Sequence, residues 1–429
     1  MPVKHFFCFF SLTIIILVAG ASPANASGDL GIRTGLGYDF VSQEYFYSSS
    51  RYDTALIPNP DETDNILLRK DYLDDVKGLI YLKYNPNGEG RYVVETGWEQ
   101  SPETFRARGY GHAALGSTDN RWDADFNFDI RNQYRGTADP GEDLMVFGGK
   151  LKYRKSLSQT LLTHLKAYGE KVAFDSVGEL VYNYSRFGAE IGLDFLSAGY
   201  NSLYLMAGVE KRKVPDSAIL DYMAYKAQIG YAGVVGEVQI LGDLSLESKG
   251  YNEPDNLDNY ILTTLTADLR IPVGSDLCIR PDIDLEYFNF ENDNYLNIDY
   301  ILGRMGILLD RDLGRFIPAL GPKIEILSMA SDFENDEDYL EYYFQIGLDF
   351  YNSRRAFFML ENQLGQHRYG NDPIYYSDFN FNRSSLIGSV KLWQNLNLDF
   401  LLSAEWEWHE IDSDDSRLYL ISTGLIYTF

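Results

Sequence analysis

The sequence predicts an all-β fold: a single transmembrane antiparallel up-and-down β-barrel of about twenty strands. Three observations predict it. Nearly every segment alternates apolar and polar residues with the period-two signature of a strand. The alternating segments are mostly about 10 to 16 residues long, roughly twice the usual globular strand, and they suit a tilted membrane-crossing strand with extensions. The connections alternate between tight turns and longer acidic loops.

The chain opens with "MPVKHFFCFFSLTIIILVAGASPANAS". Lys4 and His5 give a weakly basic start, Phe6 to Val18 an apolar run, and Ala24-Asn25-Ala26 the small-x-small end of a cleavage site. Residues 1–26 are therefore expected to be a cleaved signal peptide, and 27–429 the barrel. Cleavage would remove Cys8 and leave Cys278 alone, too few for an internal disulfide. The formal charge of -26 would become about -27 with the loss of Lys4, which argues against nucleic-acid partners.

The strand segments fall near 31–47, 75–85, 91–101, 104–115, 121–134, 144–155, 159–172, 179–196, 200–213, 219–232, 235–250, 259–273, 277–290, 296–310, 316–331, 339–351, 355–369, 383–393, 397–411 and 417–429. Eighteen strands result if two of the weaker segments fuse or drop out. The plainest is "RWDADFNFDIR": Trp122, Ala124, Phe126, Phe128 and Ile130 share one face, with Asp123, Asp125 and Asp129 on the other. Tight connections lie at 85–90, 156–159, 232–235, 273–276, 352–355 and 394–397. Longer ones lie at 134–143, 251–259, 331–338, 368–382 and 411–416. The longest spans 48–74, where "DNILLRKDYL" reads as one short helix.

A soluble barrel or sandwich would have to bury its second face. Here that face carries Asp, Glu, Lys and Arg strand after strand, and burying so many charges costs several kcal/mol each. Lipid outside and a wet lumen inside satisfy both faces and leave no sheet edge.

The chain ends on "RLYLISTGLIYTF". Together with "ANA" and the repeated amphipathic strands, this ending resembles that of Gram-negative outer-membrane β-barrels of the porin-like kind. In that class a final strand ending in Phe looks like the signal read by the outer-membrane insertion machinery. Ile421, Leu425, Tyr427 and Phe429 match it, and Thr423 departs from it. The resemblance covers the whole mature chain but identifies no subfamily. It implies a place in the cell outer membrane, with lipid, lipopolysaccharide and the insertion machinery as partners. It also implies transport of small hydrophilic solutes or an exported polymer, by a single barrel, a homo-oligomer or a subunit of a complex.

The polar parity assigns an uneven set of charges to the lumen. A basic wall is expected from Arg106, Arg108, Arg121, Arg131, Lys150, Lys152, Arg154 and Lys166, continued by Arg186, Arg212 and Lys226. An acidic wall is expected from Asp282, Asp284, Glu286, Glu341, Asp349, Asp399, Glu405 and Glu407. In a closed ring the two face each other and set a field across the pore, favouring dipolar or charged solutes. The competing reading is that these charges pair with neighbouring strands and only hydrate the wall. Luminal Tyr110, Tyr182, Tyr184 and Tyr343 could stack on sugar rings.

Three function classes follow: a porin-like channel for hydrophilic solutes; a dedicated conduit of a larger complex, for polysaccharide export or as a sleeve for an electron carrier; and a hydrolase. For the last, His367 with Asp372 and Asp378, or His409 with Asp412, are the candidates, but no GxSxG motif supports them. No nucleotide loop, haem motif or metal-ligand spacing is present, so no cofactor and no metal are expected. Loop acids such as Asp332, Glu334, Asp336 and Asp414 fit no calcium loop and are expected to be solvated.

Overall fold

The computed structural model describes residues 29–47, 66–85, 91–101, 104–133, 143–174, 182–197, 201–215, 217–252, 259–291, 298–330, 338–352, 355–370, 377–410 and 415–429. The expected signal peptide and most of the acidic loop residues lie outside them.

Twenty strands follow one another: β1 (Asp29–Tyr47), β2 (Ile66–Asn85), β3 (Tyr92–Gln100), β4 (Thr104–Gly116), β5 (Asn120–Gln133), β6 (Leu144–Ser156), β7 (Leu161–Phe174), β8 (Tyr184–Leu196), β9 (Ser202–Lys213), β10 (Tyr222–Val235), β11 (Val238–Tyr251), β12 (Tyr260–Pro272), β13 (Leu277–Phe290), β14 (Tyr300–Arg311), β15 (Phe316–Met329), β16 (Tyr339–Asn352), β17 (Ala356–Tyr369), β18 (Phe379–Lys391), β19 (Leu396–His409) and β20 (Ser416–Thr428). Each pairs antiparallel with the next in sequence, as in an up-and-down meander. The ring closes where β1 pairs with β20, from Arg33↔Thr428 to Tyr45↔Ser416. Phe429 adds one more backbone bond to Ile32 O at 2.9 Å.

Two sequence expectations are corrected. Ile66 to Leu73, read as part of a helix, are strand. The register of β2 with β1 runs from Tyr47↔Ile66 to Asp29↔Asn85, and cross-strand backbone bonding overrides the local helical pattern. The turn placed at 232–235 is strand too: β10 runs to Val235 and turns on Gly236-Glu237 alone. Gly236 has φ 65°, the left-handed value that such a two-residue hairpin requires.

The curvature shows which face is inside. Strands two apart are about 9–10 Å from each other, and along the wall their side chains converge on the concave side. Polar side chains on the charged parity reach across an intervening strand repeatedly. Tyr168 on β7 donates to Glu210 on β9 at 2.7 Å. Lys323 on β15 meets Asp282 on β13 at 3.2 Å, and Arg383 on β18 meets Glu341 on β16 at 2.8 Å. The charged parity is therefore the lumen. The opposite parity exposes Leu36, Phe126, Phe187, Ile346 and Leu364 on the convex surface. Leu425, Tyr427 and Phe429 are exposed on that surface and Ile421 shares their parity, with the Tyr427 and Phe429 rings edge to face at 4.8 Å.

Seven successive hairpins share a clamp at the long-loop end of the barrel. The residue just before each falling strand is Asp or Asn: Asn183, Asp221, Asn259, Asp299, Asp338, Asp378 and Asp415. Its side-chain oxygen accepts the backbone N–H of Phe174, Val214, Tyr251, Phe290, Met329, Tyr369 or His409, at 2.5–2.8 Å. Each acceptor holds the mouth of its loop shut with one short bond. The clamp residues are spaced 38, 38, 40, 39, 40 and 37 positions apart, an internal repeat of one hairpin.

In five of these hairpins the next residue is a luminal Tyr, and its hydroxyl donates to a Glu on the preceding strand. The pairs are Tyr184–Glu170, Tyr222–Glu210, Tyr260–Glu247, Tyr300–Glu286 and Tyr339–Glu325. Losing one acceptor while its N–H stays half-buried should cost about 1 kcal/mol. Asp221→Ala should therefore lower the urea midpoint of the refolded barrel, and Asp221→Asn, which keeps the acceptor, should restore most of it. Identical midpoints for Asp221→Ala and the parent chain would remove the clamp's role.

Candidate functional site

The lumen is a wall of charged side chains held by the strand register. On the basic arc, Arg106 Nη2 meets Asp129 at 2.5 Å and Arg108 Nη2 meets Glu99 at 2.7 Å. Asp123, only 5% exposed, sits between Arg121 Nε at 2.7 Å and Arg154 Nη2 at 2.6 Å. Lys150 pairs with Asp125 and Lys166 with Glu190, both at 2.9 Å. Lys152 and Arg131 make no ion pair among the described residues, and Lys152 stands opposite Lys166 in the register.

The acidic arc is arranged in the same way. Asp282 pairs with Lys323 at 3.2 Å and Asp284 with Arg304 at 3.6 Å. Glu286 accepts the Tyr300 hydroxyl, and Asp399 accepts that of Ser389 at 2.5 Å. Arg383 bridges Glu341 and Glu405. Glu407 accepts from Ser416 at 2.6 Å. Asp349 makes no ion pair among the described residues.

All sixteen side chains expected on the two walls thus share the luminal face. Ten of the sixteen meet a Lys, Arg, Asp or Glu of opposite charge on their own strand, the next, or the next but one. An imbalance remains beneath the pairing: the inward positions of β4 to β8 carry nine Lys or Arg against six Asp or Glu, and those of β16 to β20 carry two against six. The sequence reading left open that these charges pair with neighbouring strands but assigned no pairs. Asp123, Asp125 and Asp129 interleave the basic arc, and Arg304, Lys323 and Arg383 the acidic one. Their signal was present, because each stands on the same parity as the charge it meets.

At the tight-turn rim, Arg311 Nε lies 2.9 Å from Asp276 and its hydrogen bond holds that carboxyl below the usual range.

Asp372 and Asp412, named with the two histidines as catalytic candidates, lie outside the described residues. His367 Nδ1 lies 3.1 Å from Glu341, and its ring stacks on Phe379 at 4.7 Å. Asp378 instead binds Arg368 at 2.9 Å. His409 forms a Ser–His–Glu array, with Nδ1 3.2 Å from Ser377 Oγ and Nε2 3.6 Å from Glu407. That Nδ1 is also 3.2 Å from the carbonyl oxygen of Ser377. The hydroxyl and the carbonyl oxygen thus compete for the same ring nitrogen. Ser377 is also buried. No group of three metal-ligating side chains occurs among the described residues.

No protein-family model matches this chain, and no curated protein matches it. Solved structures do. A BenF-like porin from Pseudomonas fluorescens Pf-5 aligns with a TM-score of 0.51 and 11% identity, covering 94% of this chain and 99% of the other. The chain has the fold of an outer-membrane β-barrel. The copper transporter OprC aligns at 0.52 with 9% identity, over 95% of this chain and 81% of that one. A mutant ferric enterobactin receptor from Pseudomonas aeruginosa aligns at 0.53 with 6% identity, over 93% and 80%. A porin, a transporter and a receptor fit about equally well, so the likeness extends to architecture alone.

Two outcomes test the site. Arg383→Ala would leave buried Glu341 with one fewer counter-charge and should destabilise the barrel by about 1–3 kcal/mol in urea unfolding, since breaking such a pair strands the remaining charge. Arg383→Lys should recover only part of that, because a single ammonium cannot reproduce a two-carboxylate bridge. A fluorophosphonate probe should leave the chain unlabelled; labelling abolished by Ser377→Ala would make the Ser–His–Glu array a nucleophile after all.

Proposed function

We propose that this chain is a porin-like channel of the Gram-negative outer membrane, passing small hydrophilic solutes through a charge-lined lumen. One observation carries the proposal: a closed ring whose concave face carries charged side chains on every strand but β20 and whose convex face exposes mainly apolar ones. Such a ring leaves no backbone edge unpaired in lipid, and it surrounds a path where ions and polar solutes keep their hydration. Twenty strands set a diameter beyond that of the small barrels that side chains fill completely.

The residual imbalance between the β4–β8 and β16–β20 arcs supports a transverse field across this path. Paired charges still present a dipole to the pore, and the excess cations on one side and carboxylates on the other do not cancel locally. Lipopolysaccharide and the outer-membrane insertion machinery are the partners that this placement requires.

The purified barrel should give steady single-channel conductance in planar bilayers. Replacing Arg106, Arg108 and Lys150 together by Glu should move the reversal potential in a salt gradient towards cation selectivity. Retained heat-modifiable migration on gels would show that the variant still folds. An unmoved reversal potential would dispose of the transverse field. A barrel that inserts but never conducts would point instead to a conduit that opens only with its partner.

A further inference from the structure

We propose that the lumen contains a binding recess for a small sugar acid, on the wall formed by β1 to β4 near the tight-turn rim. The proposal rests on the channel reading and names the class of solute that the channel retains.

The recess has a volume of about 540 Å³, within the range of small-molecule sites. It exists because two inward positions are glycine. Gly31 leaves its space open, a Cβ there meeting nothing nearer than 4.0 Å, and Gly97 lets the Tyr81 ring lie back against the wall. The space over Gly97 is taken by the Tyr81 ring, and a Cβ there would meet that ring at 2.6 Å.

Two aromatic side chains flank the recess, and both are pinned. The Tyr81 hydroxyl donates to Glu99 at 2.8 Å and accepts from Arg108 at 2.7 Å. The Tyr110 hydroxyl donates to Asp125 at 2.6 Å, while 41% of the residue stays open. A ring held by its hydroxyl and open over its body is a ready platform for the C–H face of a sugar, with little ordering cost left at binding.

The polar groups point to one ligand chemistry. Lys83 and Glu95 form an open pair at 2.5 Å, able to take hydroxyl groups as donor and acceptor. Arg33 lines the same recess and is exposed. Unlike Arg108, which is committed to Glu99, Arg33 makes no ion pair or side-chain hydrogen bond among the described residues. An accessible guanidinium without a carboxylate, in a wall where most cations have one, is suited to take a carboxylate from solution in a bidentate bond. Ring platform, hydroxyl-binding pair and free guanidinium together match a hydroxylated ring carrying one carboxylate.

The test uses D-glucuronate, with D-glucose and acetate as controls, titrated calorimetrically into the full barrel in detergent micelles. Glucuronate should bind at least about tenfold more tightly than either control, since a hydrogen bond to a charged group is worth roughly that factor or more. Arg33→Gln should remove about tenfold of the affinity and leave the unfolding midpoint unchanged, because Arg33 has no partner to strand. Tyr110→Leu should weaken glucuronate and glucose alike. Equal affinity for glucuronate and glucose, or an Arg33→Gln barrel that binds as well as the parent, overturns the proposal. Conductance in bilayers separates the two readings. A conducting pore that glucuronate neither binds nor blocks refutes the recess alone, and a non-conducting barrel that binds glucuronate refutes the channel alone.

Discussion

Everything in this molecule depends on the pairing of its first and last strands. A sheet of twenty strands left open would present two rows of unpaired N–H and C=O groups. In water those rows invite aggregation, and in lipid each unpaired group costs several kcal/mol. The register from Arg33↔Thr428 to Tyr45↔Ser416 removes both rows at once. It also fixes which way every side chain points, because a slip of one residue would turn the charged face outwards. The aromatic ending of the chain follows from the same bond pattern. The Phe429 backbone N–H is bound to Ile32 O, and its ring belongs to the outer surface.

Closure makes the charged wall affordable to fold. On the concave side, side chains from strands two apart come within bonding distance, so a carboxylate can find cations on either flank. Asp123 between Arg121 and Arg154, and Arg383 between Glu341 and Glu405, are the clearest cases. On the convex side the same spacing splays side chains apart. The ion pairs described on that side lie at the rims, as Arg311–Asp276 and Arg368–Glu410 do, and between the rims the sequence places Leu, Ile, Phe and Trp. Curvature and composition are thus consistent at every strand, the agreement across levels that specifies one fold.

The architecture was legible because a period-two pattern is a global property, repeated often enough to survive local noise. Helix propensity at Ile66 to Leu73 misled because it is local, and the partner that decides the matter, β1, stands some twenty residues away. The parity of Arg106, Lys150 and Glu405 could be read directly. Their partners could not, since Asp129, Asp125 and Arg383 become neighbours only through a register that turns and bulges set. The recess was harder still. Gly31 and Gly97 mark it by a missing side chain, and Arg33 by a missing partner; neither shows in a pattern of what is present.

The clamp repeat has a consequence for how such a protein can change. Each Asp or Asn closes the stem of its hairpin before the loop begins, with a bond made between two residues of the stem itself. Loop and barrel are then separable in inheritance. The segment between clamp and donor can lengthen, shorten or be exchanged while the ring beneath keeps its register. The loops at that rim can drift quickly over a barrel that stays the same.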